Sequence, residues 1–181
     1  MLTALYLLAG CFGGPESDCA KADLFYVYEF TTDGGFAGCV HTSAHEVGAN
    51  RCEGKPFETR VWSDGSLMSC YLDGDQSFAG TDFPDETGLW VWEDGTIGSF
   101  SLPRGEAAES TTVTFRGKTC TSADFYADGS YASCTTFTKG AKRAKRRCWD
   151  AAGAELPTKD CFRWEAPSPS DRWKSQTRKR R

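Results

Sequence analysis

Four Asp-Gly dipeptides at nearly even spacing constrain the fold of this 181-residue chain more than any other feature. They begin at Asp33, Asp64, Asp94 and Asp128, and are therefore 31, 30 and 34 residues apart. Each has a similar setting, in the segments FTTDGGFAGC, VWSDGSLMSC, VWEDGTIGSF and FYADGSYASC. Asp-Gly between β-forming residues is typical of a tight hairpin, because its turn needs positive φ angles that glycine adopts readily. The sequence therefore predicts four β-hairpins joined by longer connections.

Composition agrees with a β-rich globular domain. Aromatic residues make up 13% of the chain and there are 19 glycines, which favours strands joined by many tight turns. A hydrophobic content of 39% is enough for a packed core. We predict an all-β domain over residues 19–164, built as an antiparallel hairpin meander or small sandwich and braced by disulfides.

Alternation along each hairpin sorts its side chains into two faces if the turn has two residues. The face expected to form the core collects Phe30, Ala37, Cys39, Val61, Met68, Cys70, Val91, Gly98, Phe100, Phe125, Ala132 and Cys134. The other face pairs Trp62 with Leu67, Trp92 with Ile97, and Tyr126 with Tyr131. A three-residue turn with a glycine bulge would shift this register, and that alternative stays open.

The second face carries an aromatic row of Trp62, Trp92, Tyr126 and Tyr131. Such a row stabilises hairpins across the strands or packs against a second layer. Exposed, it would stack on sugar rings or hold a peptide. Packing is the simpler of the two interpretations.

Nine cysteines indicate an oxidising compartment, because so many thiols are unusual in a reduced protein and no C-x-x-C metal pair occurs. Setting Cys11 aside leaves an even number suited to four disulfides. These are Cys19, Cys39, Cys52, Cys70, Cys120, Cys134, Cys148 and Cys161. Connectivity does not follow from the sequence. The similar spacing of Cys39/Cys52 and of Cys134/Cys148 suggests a repeated local bridge.

The chain opens with the apolar run MLTALYLLAG and then Cys11. This run is shorter than the roughly 20 residues of a membrane-spanning helix. Its end, LAGC at residues 8–11, resembles the lipobox of bacterial lipoproteins. The resemblance implies a signal peptide over residues 1–10, lipidation of Cys11 and a lipidated tether over residues 11–18. Phe12 instead of Asp follows the cysteine, which by resemblance to enteric lipoproteins implies the outer membrane of a bacterial cell envelope.

Charge is unevenly distributed. Residues 1–115 carry five basic and 18 acidic side chains, whereas residues 116–181 carry 16 basic and seven acidic ones. The densest basic segment, KGAKRAKRRC, contains Lys139, Lys142, Arg143, Lys145, Arg146 and Arg147. Six like charges repel one another, so folding alone does not favour them.

The basic segment predicts binding to a polyanion, and near an anchored membrane that means anionic lipid or acidic polysaccharide. Solvated charges that balance the acidic half are the simpler alternative. Nucleic acid is not expected as a partner in this compartment. The final segment, residues 165–181, is basic and rich in proline and serine, and is expected to be a disordered tail.

Two groups of residues have side chains that metal ions bind. His41, His45 and Glu46 could share one helix face and bind zinc or copper, with Cys39 and Cys52 nearby. The even number of cysteines instead favours disulfides, and a polar surface loop is the simpler interpretation.

A second group, Asp73, Asp75, Asp82 and Asp85, could form a loose calcium site. Phe78 and Pro84 stand where an EF-hand loop requires glycine and glutamate. We predict no metal site, cofactor or catalytic residue, since no nucleophile elbow or phosphate-binding glycine motif occurs. The sequence thus favours an envelope-anchored binding or structural module. The alternative is a secreted enzyme or enzyme inhibitor on a disulfide-braced β scaffold.

Overall fold

The computed structural model describes residues 29–31, 36–39, 41, 43–54, 57–62, 64–103, 111–137, 144–161 and 177–179, the strands at 29–31, 36–39 and 177–179 by their backbone alone. The described residues form 16 short strands and a single-turn helix. The prediction of an all-β fold is therefore confirmed. The elements are β1 (Glu29–Thr31), β2 (Phe36–Cys39), β3 (His45–Val47), β4 (Asn50–Cys52), β5 (Thr59–Val61), β6 (Leu67–Tyr71), β7 (Gln76–Phe78), β8 (Thr81–Phe83), β9 (Gly88–Val91), β10 (Ile97–Ser101), β11 (Val113–Phe115), β12 (Lys118–Cys120), β13 (Ser122–Phe125), β14 (Tyr131–Thr136), β15 (Lys145–Cys148), α1 (Thr158–Cys161) and β16 (Thr177–Lys179).

Ten of these strands form one antiparallel sheet in the order β15-β14-β13-β10-β9-β6-β5-β2-β1-β16. The four Asp-Gly hairpins are β1-β2, β5-β6, β9-β10 and β13-β14, and successive hairpins lie side by side. Strand β16 falls within the tail predicted to be disordered, and it pairs antiparallel with β1. The rest of that tail, the signal peptide and the tether lie outside the described residues.

Each of the first three hairpins is followed by a two-stranded ribbon: β3-β4, β7-β8 and β11-β12. The ribbons have two-residue turns, and positive φ angles at Ala79, Gly80, Arg116 and Gly117 are those of a type I′ turn. The longer connections expected from the sequence are thus largely these ribbons. The repeating unit is a hairpin of the large sheet plus one ribbon.

The three Asp-Gly turns that the structure describes, at Asp64, Asp94 and Asp128, have three residues, not two. In the β5-β6 hairpin the Trp62 amide donates to the Ser66 carbonyl at 2.8 Å, and the Gly65 amide donates to the Trp62 carbonyl at 2.9 Å. Gly65 has a φ of 83°, which a side chain would disfavour. Asp64 Oδ1 accepts from the Ser66 amide at 2.9 Å and from Ser66 Oγ at 2.6 Å. Glycine therefore supplies the positive φ angle of the turn, and aspartate accepts the hydrogen bonds that close it.

This longer turn changes the cross-strand pairing. Val61 lies opposite Leu67, and Val91 and Phe125 are likewise paired with Ile97 and Tyr131. The predicted pairs Trp62–Leu67, Trp92–Ile97 and Tyr126–Tyr131 are wrong. Beyond these pairs the register shifts by one residue, at an irregularity between Arg60 and Val61 and at the equivalent places of the other two hairpins.

Side chains move between faces as a consequence. Leu67 joins Val61 and Cys70 in the main core cluster. Met68, predicted on that face, instead packs with Trp62 in a second cluster, against which the half-buried Trp90 lies.

The main core lies between the large sheet and the ribbons. Its buried side chains come from both layers: Val47, Cys52, Phe83, Val113, Phe115 and Cys120 from the ribbons, and Val61, Leu67, Cys70, Leu89, Val91, Ile97, Phe100, Ala123, Phe125, Tyr131 and Cys134 from the sheet. Neither layer could bury its apolar face alone, so the ribbons complete the domain.

Two disulfides fasten ribbons to the sheet. Cys52 on β4 is bonded to Cys70 on β6, and Cys120 on β12 to Cys134 on β14, with Cα–Cα distances of 5.8 and 5.6 Å. The suggested local bridges Cys39–Cys52 and Cys134–Cys148 are wrong, because Cys52 and Cys134 have these other partners.

A third disulfide joins Cys148 on β15 to Cys161 on α1. The prediction of a disulfide-braced domain is confirmed by these three bridges. Cys11, Cys19 and the side chain of Cys39 lie outside the described residues.

A fifth turn of the same design follows β15, and the sequence did not reveal it. The Asp150 amide donates to the Ala154 carbonyl at 3.0 Å, and the Gly153 amide to the Asp150 carbonyl at 2.9 Å. Trp149 pairs with Glu155 across this turn as Val61 pairs with Leu67. Alanine occupies the place of the aspartate directly before glycine, which is why the turn escaped the Asp-Gly pattern.

Candidate functional site

Strand β15 carries half of the predicted polyanion-binding segment. Lys145, Arg146 and Arg147 lie on it, at one end of the ten-stranded sheet. Lys139, Lys142 and Arg143 lie outside the described residues.

Arg146 is held by groups on two neighbouring strands. Its Nη2 donates to Asp124 Oδ2 at 3.3 Å, and Ser133 Oγ donates to the same carboxylate oxygen at 2.5 Å. The side chains of Arg146 and Asp124 are about one-third exposed, at 31% and 34%. Much of the Arg146 charge is thus balanced within the fold, as the simpler alternative for this segment expected.

Arg147 makes a bidentate ion pair with Glu155 across the turn that follows β15. Its Nε donates to Oε1 at 2.7 Å and its Nη2 donates to Oε2 at 2.5 Å. This hydrogen bonding, followed by the positive charges of Arg147, Lys118 and Lys145, holds the pKa of the Glu155 carboxyl below its usual value. A single carboxylate therefore lies in a field set by three cations.

Lys118 reaches this same region from the ribbon strand β12. Its ammonium lies 4.6 Å from the centroid of the Trp149 ring and 5.3 Å from that of Tyr131. The Arg147 guanidinium lies 5.4 Å from the Trp149 ring. The aromatic faces attract both cations and keep them together. We call Lys118, Lys145, Arg146 and Arg147 the basic edge.

A cleft of about 540 Å³ lies along β15 beside the basic edge. It is lined by Ala144, Lys145, Arg146, Arg147, Glu155, Leu156 and Thr158. Lys145 and Arg147 are exposed, so their charges are accessible to a ligand. Sequence reasoning missed Lys118, Trp149 and Glu155, which the turn after β15 and the ribbon β11-β12 bring to this place.

The acidic residues considered for calcium are engaged in a turn. Asp85 Oδ1 accepts from the Gly74 amide at 2.6 Å, and Asp75 Oδ1 accepts from the Asp85 amide at 2.9 Å. Asp73 forms an ion pair with Arg51. Within the described residues no group of three or more His, Cys, Asp or Glu side chains is placed to hold a metal ion.

The histidine segment is a strand instead of a helix. His45 and Glu46 are neighbours on β3, so their side chains point to opposite sides. His41 is buried, and its ring stacks on that of His45 with a centroid distance of 3.3 Å. Because Cys52 is in a disulfide, the suggested zinc or copper set of His41, His45, Glu46 and the cysteines does not form.

The four residues of the predicted aromatic row have separate environments. Trp62 is fully buried, and its Nε1 donates to the Val91 carbonyl at 3.1 Å. Trp92 is 7% exposed. Tyr126 is half-buried, and its hydroxyl donates to the Trp149 carbonyl at 3.0 Å. Tyr131 lies in the main core and donates to the Phe115 carbonyl, and burial raises its pKa to about 12. The packing interpretation describes these positions better than a binding surface does.

The described part of the chain contains no helix long and apolar enough to cross a membrane. In comparisons with known proteins, no family model, no curated protein and no solved structure matches this chain.

Proposed function

We propose that this chain is a lipid-anchored protein of the bacterial cell envelope that binds an anionic polymer or lipid through its basic edge. The observation that carries the proposal is the grouping of four cations beside an open cleft at the end of the sheet. Arg146 and Arg147 are balanced in part by acids, so Lys118 and Lys145 contribute most of the remaining charge. Lys139, Lys142 and Arg143 precede β15 in the chain and would add to it.

The anchor is supported by two independent features. LAGC at residues 8–11 has the pattern of a lipobox, with Cys11 as the residue that would be lipidated. The disulfides suit an oxidising compartment such as the space outside the cytoplasmic membrane. Following the resemblance, Phe12 after the cysteine would direct the protein to the outer membrane.

The intact mass of the protein, extracted from the membrane fraction of a bacterial host, tests the anchor. We expect residues 1–10 to be absent and Cys11 to carry acyl chains. Reduction should add eight hydrogens, as four disulfides require, of which the three described bridges account for six. Cys11→Ser is the matched control and should leave an uncleaved chain without lipid. A mass that starts at Met1 with nine free thiols would contradict the proposal.

Binding to anionic vesicles tests the basic edge. We expect Lys145→Gln to weaken binding to vesicles containing phosphatidylglycerol about fivefold at low salt, because one cation near such a surface contributes about 1 kcal/mol. Lys118→Gln should have a similar effect, and rising salt should weaken binding by the wild type more than by either variant.

Arg51→Gln is the matched charge control for this assay. Arg51 is an exposed cation on β4 whose partner is Asp73, away from the basic edge. Its replacement should leave vesicle binding unchanged. Zwitterionic vesicles, which carry no net charge, should reduce binding of every variant to background. Equal losses from Arg51→Gln and Lys145→Gln would show that net charge, and not the basic edge, controls binding.

A further inference from the structure

The outer edge of β15 has backbone groups that point into the cleft. The Trp149 amide donates inward to the Ala132 carbonyl at 3.0 Å, whereas the Cys148 carbonyl accepts from the Leu156 amide at 2.8 Å on the outer side. Backbone polar groups of successive strand residues alternate in direction. Arg146, two residues before Cys148, therefore directs its N–H and C=O outward as well, toward the cleft that it lines.

The fifth hairpin stops before it can cover this edge. The fifth hairpin can be aligned on the complete β5-β6 hairpin, because Trp149 pairs with Glu155 as Val61 pairs with Leu67. Two residues further on, Pro157 takes the place of Ser69, which pairs with Arg60 in β5-β6. Proline has no N–H to donate, so it cannot continue the pairing. The chain turns into α1 instead, where the Asp160 amide donates to the Pro157 carbonyl at 2.9 Å. The cleft is the space that a continuing strand would occupy.

The charge of this edge selects what can occupy it. Lys145 and Arg147 project to one side of β15 and Arg146 to the other, since side chains alternate along a strand. Pairing with a second copy of β15 would bring lysine and arginine side chains opposite one another, which is destabilising. An extended chain with acidic side chains would instead find the exposed Lys145 and Arg147 on one side and the partly balanced Arg146 on the other.

From this geometry we infer that the cleft binds an extended acidic polypeptide, which adds to the large sheet as a further strand beside β15. This inference rests on the proposed function and names its ligand class. The Arg146 N–H and C=O hydrogen-bond the backbone of the bound strand, while Lys145 and the Arg147–Glu155 pair lie beside its acidic side chains.

A labelled synthetic peptide of about ten residues, alternating glutamate and threonine, tests the inference on the full chain. The control peptide has the same sequence but is N-methylated at every residue, so it keeps the charge and loses the backbone donors on both of its edges. We expect the unmodified peptide to bind at least about tenfold more tightly at low salt, because N-methylation removes the donor to the Arg146 carbonyl and the methyl groups keep the strand too far away to accept from the Arg146 N–H.

A pair of protein variants isolates the backbone donor of Arg146. Arg146→Gln removes the charge and keeps the N–H, whereas Arg146→Pro removes both. Proline is tolerated on an edge strand where its missing N–H would face outward. We expect Arg146→Pro to bind the unmodified peptide about fivefold more weakly than Arg146→Gln does. Circular dichroism shows whether Arg146→Pro folds. If it does not, the comparison of the two peptides on the wild type still tests strand addition.

The outcomes separate this inference from the proposed function. Preference for the unmodified peptide supports strand addition. Equal binding of both peptides, or binding to phosphatidylglycerol vesicles without binding to either peptide, overturns strand addition and leaves the proposed function in place. Binding to neither peptide nor vesicle overturns both.

Discussion

Replacing both Cys120 and Cys134 with alanine should lower the free energy of unfolding by about 3 kcal/mol. This disulfide closes a loop with a sequence separation of 14 residues, and a loop of that size restricts the unfolded chain by roughly this amount. Alanine is chosen because both positions are buried, and a serine hydroxyl there would add a separate cost of burying a polar group. The loss should appear as a decrease in melting temperature of about 6–12 °C.

Reducing conditions provide the comparison for this variant. In a strong reductant the wild type also loses the bridge, so its stability should approach that of the double variant measured in the same buffer. Urea unfolding in both buffers gives the two differences. A loss below about 1 kcal/mol without reductant would mean that the packing of β12 against β14 holds this ribbon in place without the covalent bond.

The sequence was informative where a local rule applies. Gly65 must adopt a positive φ and Asp64 must accept hydrogen bonds from Ser66, so the Asp-Gly pair predicted the hairpin positions. Turn length was harder to predict, because a three-residue turn that ends in Asp64-Gly65 and a two-residue Asp64-Gly65 turn share the same signal. One additional turn residue shifted the register and moved Leu67 and Met68 between faces.

Long-range features did not follow from local pattern. The ribbons HEVGANRC, QSFAGTDF and VTFRGKTC share a turn position and little else, so their repetition becomes visible only in three dimensions. The candidate site likewise depends on contacts between residues far apart in the chain. Its basic segment was evident in the sequence, but the contact of Lys118 with Trp149 and the partnership of Arg146 with Asp124 depend on residues 31 and 22 positions apart.

The middle ribbon shows why sequence also obscured the disulfide pattern. Phe83 ends β8 as Cys52 ends β4 and Cys120 ends β12. Phe100 occupies the position of Cys70 and Cys134, six residues after the aspartate of its turn. The two phenylalanine rings meet edge to face with centroids 5.2 Å apart. An aromatic pair therefore stands where the neighbouring repeats have a covalent bond.

Phe100→Ala should consequently lower the free energy of unfolding by about 3–5 kcal/mol, the usual cost of removing a fully buried aromatic ring. Phe100 is 2% exposed and also contacts Phe115 and Phe125, so the cavity would open at the centre of the main core. Phe100→Leu is the matched control: it keeps much of the buried volume and should cost clearly less. Urea unfolding, with constant slopes among the variants, gives the values.

A double-mutant cycle with Phe83→Ala then measures the ring–ring contact itself. We expect the sum of the two single-variant losses of unfolding free energy to exceed the loss in the double variant by about 1 kcal/mol, as for other edge-to-face pairs. Additive losses would mean that each ring stabilises the core by its own burial, with no specific coupling between ribbon and sheet. A coupling of the expected size would show that the middle ribbon is fastened to β10 by packing, where the flanking ribbons are fastened to β6 and β14 by disulfides.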